Sequence, residues 1–199
     1  MRSAVIVLGF LGLVWTQAAV SVQIGKPAPD FEAVDSHGKT HRLADYLGKV
    51  VVLEWTNHLC SHVRKHYDSG NIPDQQSDAE EDGVIWLSVI SSAPGKPGHV
   101  SAAWANELTK TRYASPNAVL LDTGGDLGRL YGARKTPHLF IIDARGMLVY
   151  MGGIDSIASA NPADITRATQ YVSYALGEIR AGRRISRPLT RAYGCAVNY

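Results

Sequence analysis

At 199 residues, 45% of them hydrophobic, the chain is long enough for one domain with a sizeable core. Its formal charge of +2, from 20 basic and 18 acidic side chains, includes no basic run interleaved with aromatics, which argues against nucleic acid as a partner. Residues 1–21 carry Arg2, an apolar stretch and then small residues, the pattern of a secretory signal; Gly9, Gly12 and the short apolar length argue against a stable membrane span. This predicts a secreted or periplasmic protein, a compartment in which Cys60 and Cys195 could form a disulfide.

In chain order, the two prolines of residues 24–31 exclude a helix, and residues 32–43 read as a β-hairpin turned at Gly38. A helical turn over 44–47 closes at Gly48, and the β-branched run 50–54 predicts a buried strand. Helices follow over 60–67 and 73–81, with Pro73 suited to a first turn, and 84–90 is a second buried strand. The breaker-rich loop 91–98 leads into a helix over 99–110, a third strand at 118–121, a short helix at 126–131 and a loop through Thr136 and Pro137. Strands 138–143 and 147–151 flank the turn at Gly146, and Pro162 opens a predicted amphipathic helix running to about 181. Strands alternating with helices before a closing hairpin and helix predict an α/β fold with a central mixed sheet flanked by helices. The expected organisation is a signal over 1–21, one domain over 22–181 and a basic tail over 182–199.

The chemistry concentrates at residues 49–67, KVVVLEWTNHLCSHVRKHY. Cys60 falls where a helix should begin, over unpaired N–H groups and the positive end of the helix dipole, which favours thiolate. The functional reading is a nucleophile; the alternative is an inert buried cysteine. His58, His62 and His66 recur at four-residue intervals, and with Cys60 they form an alternative metal set, although solvated surface histidines are the simpler expectation. Arg64 and Lys65 read as exposed helix charges, and Trp55, Trp86 and Trp104 as packing residues. Glu54, at the end of a buried strand, must be paired, protonated or solvated, and could serve as a proton shuttle.

Cys60 taken with Thr136 and Pro137 carries a resemblance. The entry segment IGKPAPDFEAVDSHGKTHRLADYLGKVVVLEW, the cysteine loop TNHLC, the stretch KTPHLFIIDARGMLVYMGG and the closing helix stand in the order found in the redoxins of the thioredoxin superfamily. That group includes the alkyl hydroperoxide reductase and thiol-specific antioxidant proteins and the extracytoplasmic thiol-disulfide oxidoreductases, and the chain resembles it over about residues 24–180. The resemblance implies a thioredoxin-like fold with an N-terminal β-hairpin extension. It makes Cys60 the attacking cysteine and Pro137, after Thr136, a cis-proline beside it. Protein or small-molecule thiols and disulfides, or peroxide, become the expected partners, with no cofactor.

The chain departs from the family patterns in three places. Val63 stands where a Cys-x-x-Cys motif has its second thiol, so Cys195 is left as a distant resolving thiol, a static disulfide partner or a free cysteine. Asn57 occupies the position of the peroxiredoxin Thr or Ser, with Thr56 one position earlier. Pro137 stands near where those enzymes use an arginine, for which Arg64 or Arg134 are possible substitutes.

Overall fold

The computed structural model describes residues 22–199; the expected signal over 1–21 lies outside the described residues. A hairpin of β1 (Glu32–Val34) and β2 (Thr40–Arg42) opens the chain, and a 3-10 turn over Leu43–Tyr46 leads to β3 (Val51–Trp55). The chain continues through α1 (Ser61–Asp68), α2 (Asn71–Glu81), β4 (Ile85–Ile90), α3 (Ala102–Thr111), β5 (Ala118–Leu121) and α4 (Asp126–Tyr131). Then come β6 (Lys135–Thr136), β7 (His138–Ile142), β8 (Leu148–Gly152), α5 (Tyr171–Arg180) and, in the tail, β9 (Cys195–Ala196).

Five strands form the central sheet in the order β5-β4-β3-β7-β8. β3 is parallel to β4, and β4 to β5, whereas β7 and β8 are antiparallel additions, so the sheet is mixed as expected. With three strands parallel, the segments after β3, β4 and β5 all emerge at one edge of the sheet, and Cys60 stands on the first of them.

Every residue of β3 is buried because both sheet faces are covered. Val51, Leu53 and Trp55 point into one apolar layer with Leu87, Leu120 and Phe140. Val52 points into the other, with Trp86, Ile141, Tyr150 and Val172. The two-residue period of the strand therefore places Glu54 on the Val52 face, under the helices.

Three expectations need correction. The predicted helix over 162–181 is divided into a 3-10 turn (Pro162–Arg167) and α5. Between them the backbone pairs with residues 154–156 instead, through Ser156 N–H to Thr169 O and Tyr171 N–H to Ile154 O, and those bonds replace the helical ladder. Trp104 does not pack: it is 48% exposed, because α3 turns Ala105 and Leu108 toward Ile90, Val100 and Val119. Lys65 is not an exposed charge but is 2% exposed.

Candidate active site

Cys60 is the N-cap of α1, in extended conformation (φ −74°, ψ 122°), and its carbonyl accepts the Arg64 N–H. Its side chain is 2% exposed and is bonded to Cys195, 135 residues away, with the two Cα atoms 5.8 Å apart. The pairing is delivered by the tail: β9 runs antiparallel to β6, with Cys195 opposite Thr136 and Ala196 opposite Lys135. Thr136–Pro137 is the cis peptide of the described chain. The Cys60 sulfur lies 3.1 Å from the Thr136 carbonyl oxygen, and the Cys195 N–H points at it from 3.4 Å. On reduction, that N–H and the free N–H groups of the first helical turn would face the Cys60 sulfur and favour its thiolate.

The loop before Cys60 is pinned from two sides. Asn57 accepts the Leu59 N–H at 2.9 Å and donates to Pro97 O at 3.3 Å, so it shapes the cysteine loop and ties it to the 91–98 loop. Gly98 (φ +92°) must stay a glycine here, because a Cβ would run into the Asn57 amide. Arg112 donates to His58 O at 3.2 Å and lies over the Tyr67 ring at 4.9 Å.

Comparison with known proteins places this geometry in a family. The profile of the AhpC/TSA family matches residues 24–151. The chain belongs to that family. It is 26% identical over 152 residues to a thiol-disulfide oxidoreductase ResA of Geobacillus thermodenitrificans, covering 73% of this chain and 82% of the relative. It is 34% identical over 143 residues to a peroxiredoxin-2 of Cricetulus griseus, covering 66% and 69%. In fold it matches an uncharacterized conserved protein of Geobacillus kaustophilus, with a TM-score of 0.78 at 20% identity, over 90% of this chain and 94% of the other. The architecture is thioredoxin-like, with the sheet and hairpin that the redoxin resemblance implied.

Within this AhpC/TSA chain, the tail is held by a buried charge network. Lys65 Nζ donates to Asp155 Oδ2 at 2.9 Å and to Ile157 O at 3.0 Å, and reaches the Tyr193 hydroxyl at 3.5 Å. The Tyr193 hydroxyl donates to Asp155 Oδ1, which also accepts the Ile157 N–H at 3.1 Å. His66 Nδ1 accepts from Asn71 at 2.8 Å, leaving Nε2–H to donate to the Tyr193 oxygen at 3.0 Å. All three Lys65 protons have partners, the condition under which a buried ion pair is tolerated. Tyr193 is two residues before Cys195, so the network fixes the tail beside the disulfide. Gly194 (φ +112°) lets the chain pass against the Thr136 carbonyl, where a Cβ would collide. Downstream, the Ala93 N–H donates to Asn198 O at 2.9 Å, and the Tyr199 hydroxyl donates to Ala133 O at 2.6 Å.

The structure distributes the other sequence candidates unevenly. Thr56 is buried, and its hydroxyl has no hydrogen-bond partner among the described residues. The histidines do not act as one set. His58 is half-buried on the loop, and His62 is half-buried on the first turn of α1. His66 is fully buried inside the tail network rather than solvated, and burial pushes its pKa down to about 4. The group of ligand atoms within 4.8 Å of one another is Cys60, His62 and Cys195, without His58 or His66. Arg64 and Arg134 are exposed.

Glu54 is completely buried yet well supplied with donors: Tyr67 O–H at 2.9 Å, Trp86 Nε1–H at 2.8 Å, Ser88 O–H at 3.0 Å and Gln76 Nε2–H at 3.4 Å. Burial raises its pKa, and these donors act in the opposite direction. Four hydrogen-bond partners around one fully buried carboxyl answer part of the question the sequence left open: Glu54 is hydrogen-bonded inside the protein and not solvated. Sequence reasoning missed Asp155 and Tyr193. Their signal is faint, an acid following Gly152–Gly153 and a tyrosine two residues before a tail cysteine, and neither has a function until the tail folds back.

Proposed function

We propose that the protein is an extracytoplasmic thiol-disulfide oxidoreductase in which Cys60 attacks and Cys195 resolves. The observation that carries this reading is the Cys60–Cys195 disulfide, buried at a helix N-cap and laid against the strand edge at Thr136. The relatives named thiol-disulfide oxidoreductase support it, and the apolar stretch within residues 1–21 supports the compartment.

In the reduced protein the Cys60 thiolate attacks one sulfur of a substrate disulfide, forming a mixed disulfide and releasing the other sulfur as a thiolate. Cys195 then attacks Cys60 Sγ, and the second substrate sulfur leaves and takes up a proton. The substrate gains two electrons, and the Cys60–Cys195 bond records their loss. An external dithiol restores the pair. Because Thr136 is paired with Cys195 in the oxidised state, the tail occupies the edge at which an extended substrate would lie. Substrate entry therefore requires the tail to swing out, and its return expels the product.

The test is thiol trapping. A Cys195→Ser protein treated with a model disulfide is expected to accumulate a Cys60 mixed disulfide by mass spectrometry, whereas the wild type proceeds to the internal bond and Cys60→Ser does neither. Unmodified Cys60 in the Cys195→Ser protein would overturn the assignment.

A second reading rests on the peroxiredoxin relatives. In it the Cys60 thiolate attacks a hydroperoxide oxygen, giving sulfenic acid and an alcohol or water, and the Cys195 thiol condenses with it, releasing water. Asn57 and Pro137 stand where peroxiredoxins place a hydroxyl and an arginine, which weighs against efficient peroxide reduction. Cys60 oxidation faster with hydrogen peroxide than with model disulfides would favour this reading.

A further inference from the structure

The redox pair carries a third donor. Cys60, Cys195 and His62 each offer one ligand atom, and the three atoms lie within 4.8 Å of one another. We propose that the reduced protein binds one copper(I) ion through Cys60 Sγ, Cys195 Sγ and a ring nitrogen of His62. A dithiol reductant first transfers two electrons and two protons to the disulfide, breaking the S–S bond and leaving two thiols; the ion then displaces both thiol protons.

Four observations favour the site. The sulfurs have little distance to travel. Metal–sulfur bonds of about 2.3 Å keep two thiolates within about 4.6 Å of each other, and the backbone that carries them is set with Cα atoms 5.8 Å apart. That backbone is held independently of the disulfide, on one side by the N-cap of α1 and on the other by the β6–β9 pairing and the Tyr193 hydrogen bonds. His62 has coordination capacity to spare: its Nδ1 is buried and has no hydrogen-bond partner among the described residues. Its ring is braced edge-on against Tyr193, centroids 5.7 Å apart, so it is oriented before any ion arrives.

The donor set selects the ion. Two thiolates are soft ligands and an imidazole a borderline one, and Cys60 is almost without solvent contact. Zinc in a closed protein site takes four ligands, whereas the residues gathered here number three among the described residues, a set that suits copper(I). Metal and disulfide exclude one another, so copper would protect the thiols from oxidation, and oxidation would expel copper.

The experiment is an anaerobic titration of the reduced full chain with copper(I), in competition with a chromophoric copper(I) chelator. Expected are one equivalent for the reduced protein and none for the oxidised one. His62→Gln and His62→Ala, verified as folded by circular dichroism, should each bind at least about tenfold more weakly, a difference of about 1.4 kcal/mol. Bound copper should also shield both cysteines from alkylation. Equal affinity in the His62 variants, equal uptake by a Cys60→Ser, Cys195→Ser double variant, or displacement of copper(I) by equimolar zinc would overturn the proposal. Thiol trapping with a model disulfide uses no copper, so failure here leaves the oxidoreductase reading to be judged separately.

Discussion

Gly194 and two buried histidines show how single residues set the behaviour of the site. Gly194 combines φ +112° with a close approach to the Thr136 carbonyl, so Gly194→Ala strains the backbone and lifts the tail. At about 1–3 kcal/mol of strain, the population with Cys195 seated should fall by about fivefold to 150-fold. Closure of the internal disulfide after mixing with oxidised dithiothreitol, followed by quenched alkylation, should slow accordingly. His66 and His138 both have pKa values depressed by burial to about 4. Below the ordinary histidine value of about 6.5, the unfolded chain takes up protons that the folded chain refuses. Their contribution to stability is therefore intact above pH 6.5 and is lost as the pH falls toward 4, with a slope of up to about 1.4 kcal/mol per pH unit for each histidine. Urea denaturation at pH 7, 5.5 and 4.5 should show this, and His138→Gln should flatten the slope.

Among the elements, the short tail strand depends on the network beneath it. Tyr193→Phe removes one hydroxyl but leaves Asp155 Oδ1, His66 Nε2 and one Lys65 proton short of a partner, which should cost about 1–3 kcal/mol. Lys65→Met leaves a buried carboxylate unpaired and should cost about 3–5 kcal/mol, while Lys65→Met combined with Asp155→Leu should cost much less than the sum of the single changes. Equilibrium denaturation of the four proteins of that cycle measures the coupling. The elements themselves were largely readable. The β-branched run at β3, the apolar run at β4 and the Gly146 turn between β7 and β8 appear near their predicted places, since burial on both faces and turn chemistry are local signals. The break before α5 was not readable, because it follows from backbone pairing with residues 154–156, which lie near it only in the folded chain.

At the scale of the molecule, the Cys60–Cys195 bond closes a loop of 135 residues. In the chain-entropy model such a closure stabilises by about 5 kcal/mol. Reduction should therefore move the urea midpoint to lower concentration without unfolding the protein, because the five-stranded sheet is complete without the tail strand and the tail adds only a few residues, among them Tyr193, Cys195 and Val197, to the apolar layers. A reduced protein that loses its far-ultraviolet circular dichroism in buffer would show that the disulfide carries the fold. The basic tail, whose reach the sequence left open, crosses the mouth of the site, bonded in turn to β6, the 91–98 loop and the Ala133 carbonyl.

The sequence by itself determined the order of strands and helices, the helix-start position of Cys60 and the redoxin family, because hydrophobic period, turn residues and short motifs are written in neighbouring positions. It also showed that no local resolving thiol exists, since Val63 stands in its place. Only the tertiary structure decided which residue Cys60 is bonded to. The pairing of Cys60 with Cys195, the burial of Lys65 and His66, and the use of Asp155 and Tyr193 as anchors all join residues from about 90 to 135 positions apart. Contacts of that range carry no local pattern, and they exist only once the sheet brings the end of β3, the cis-proline loop and the tail to one edge.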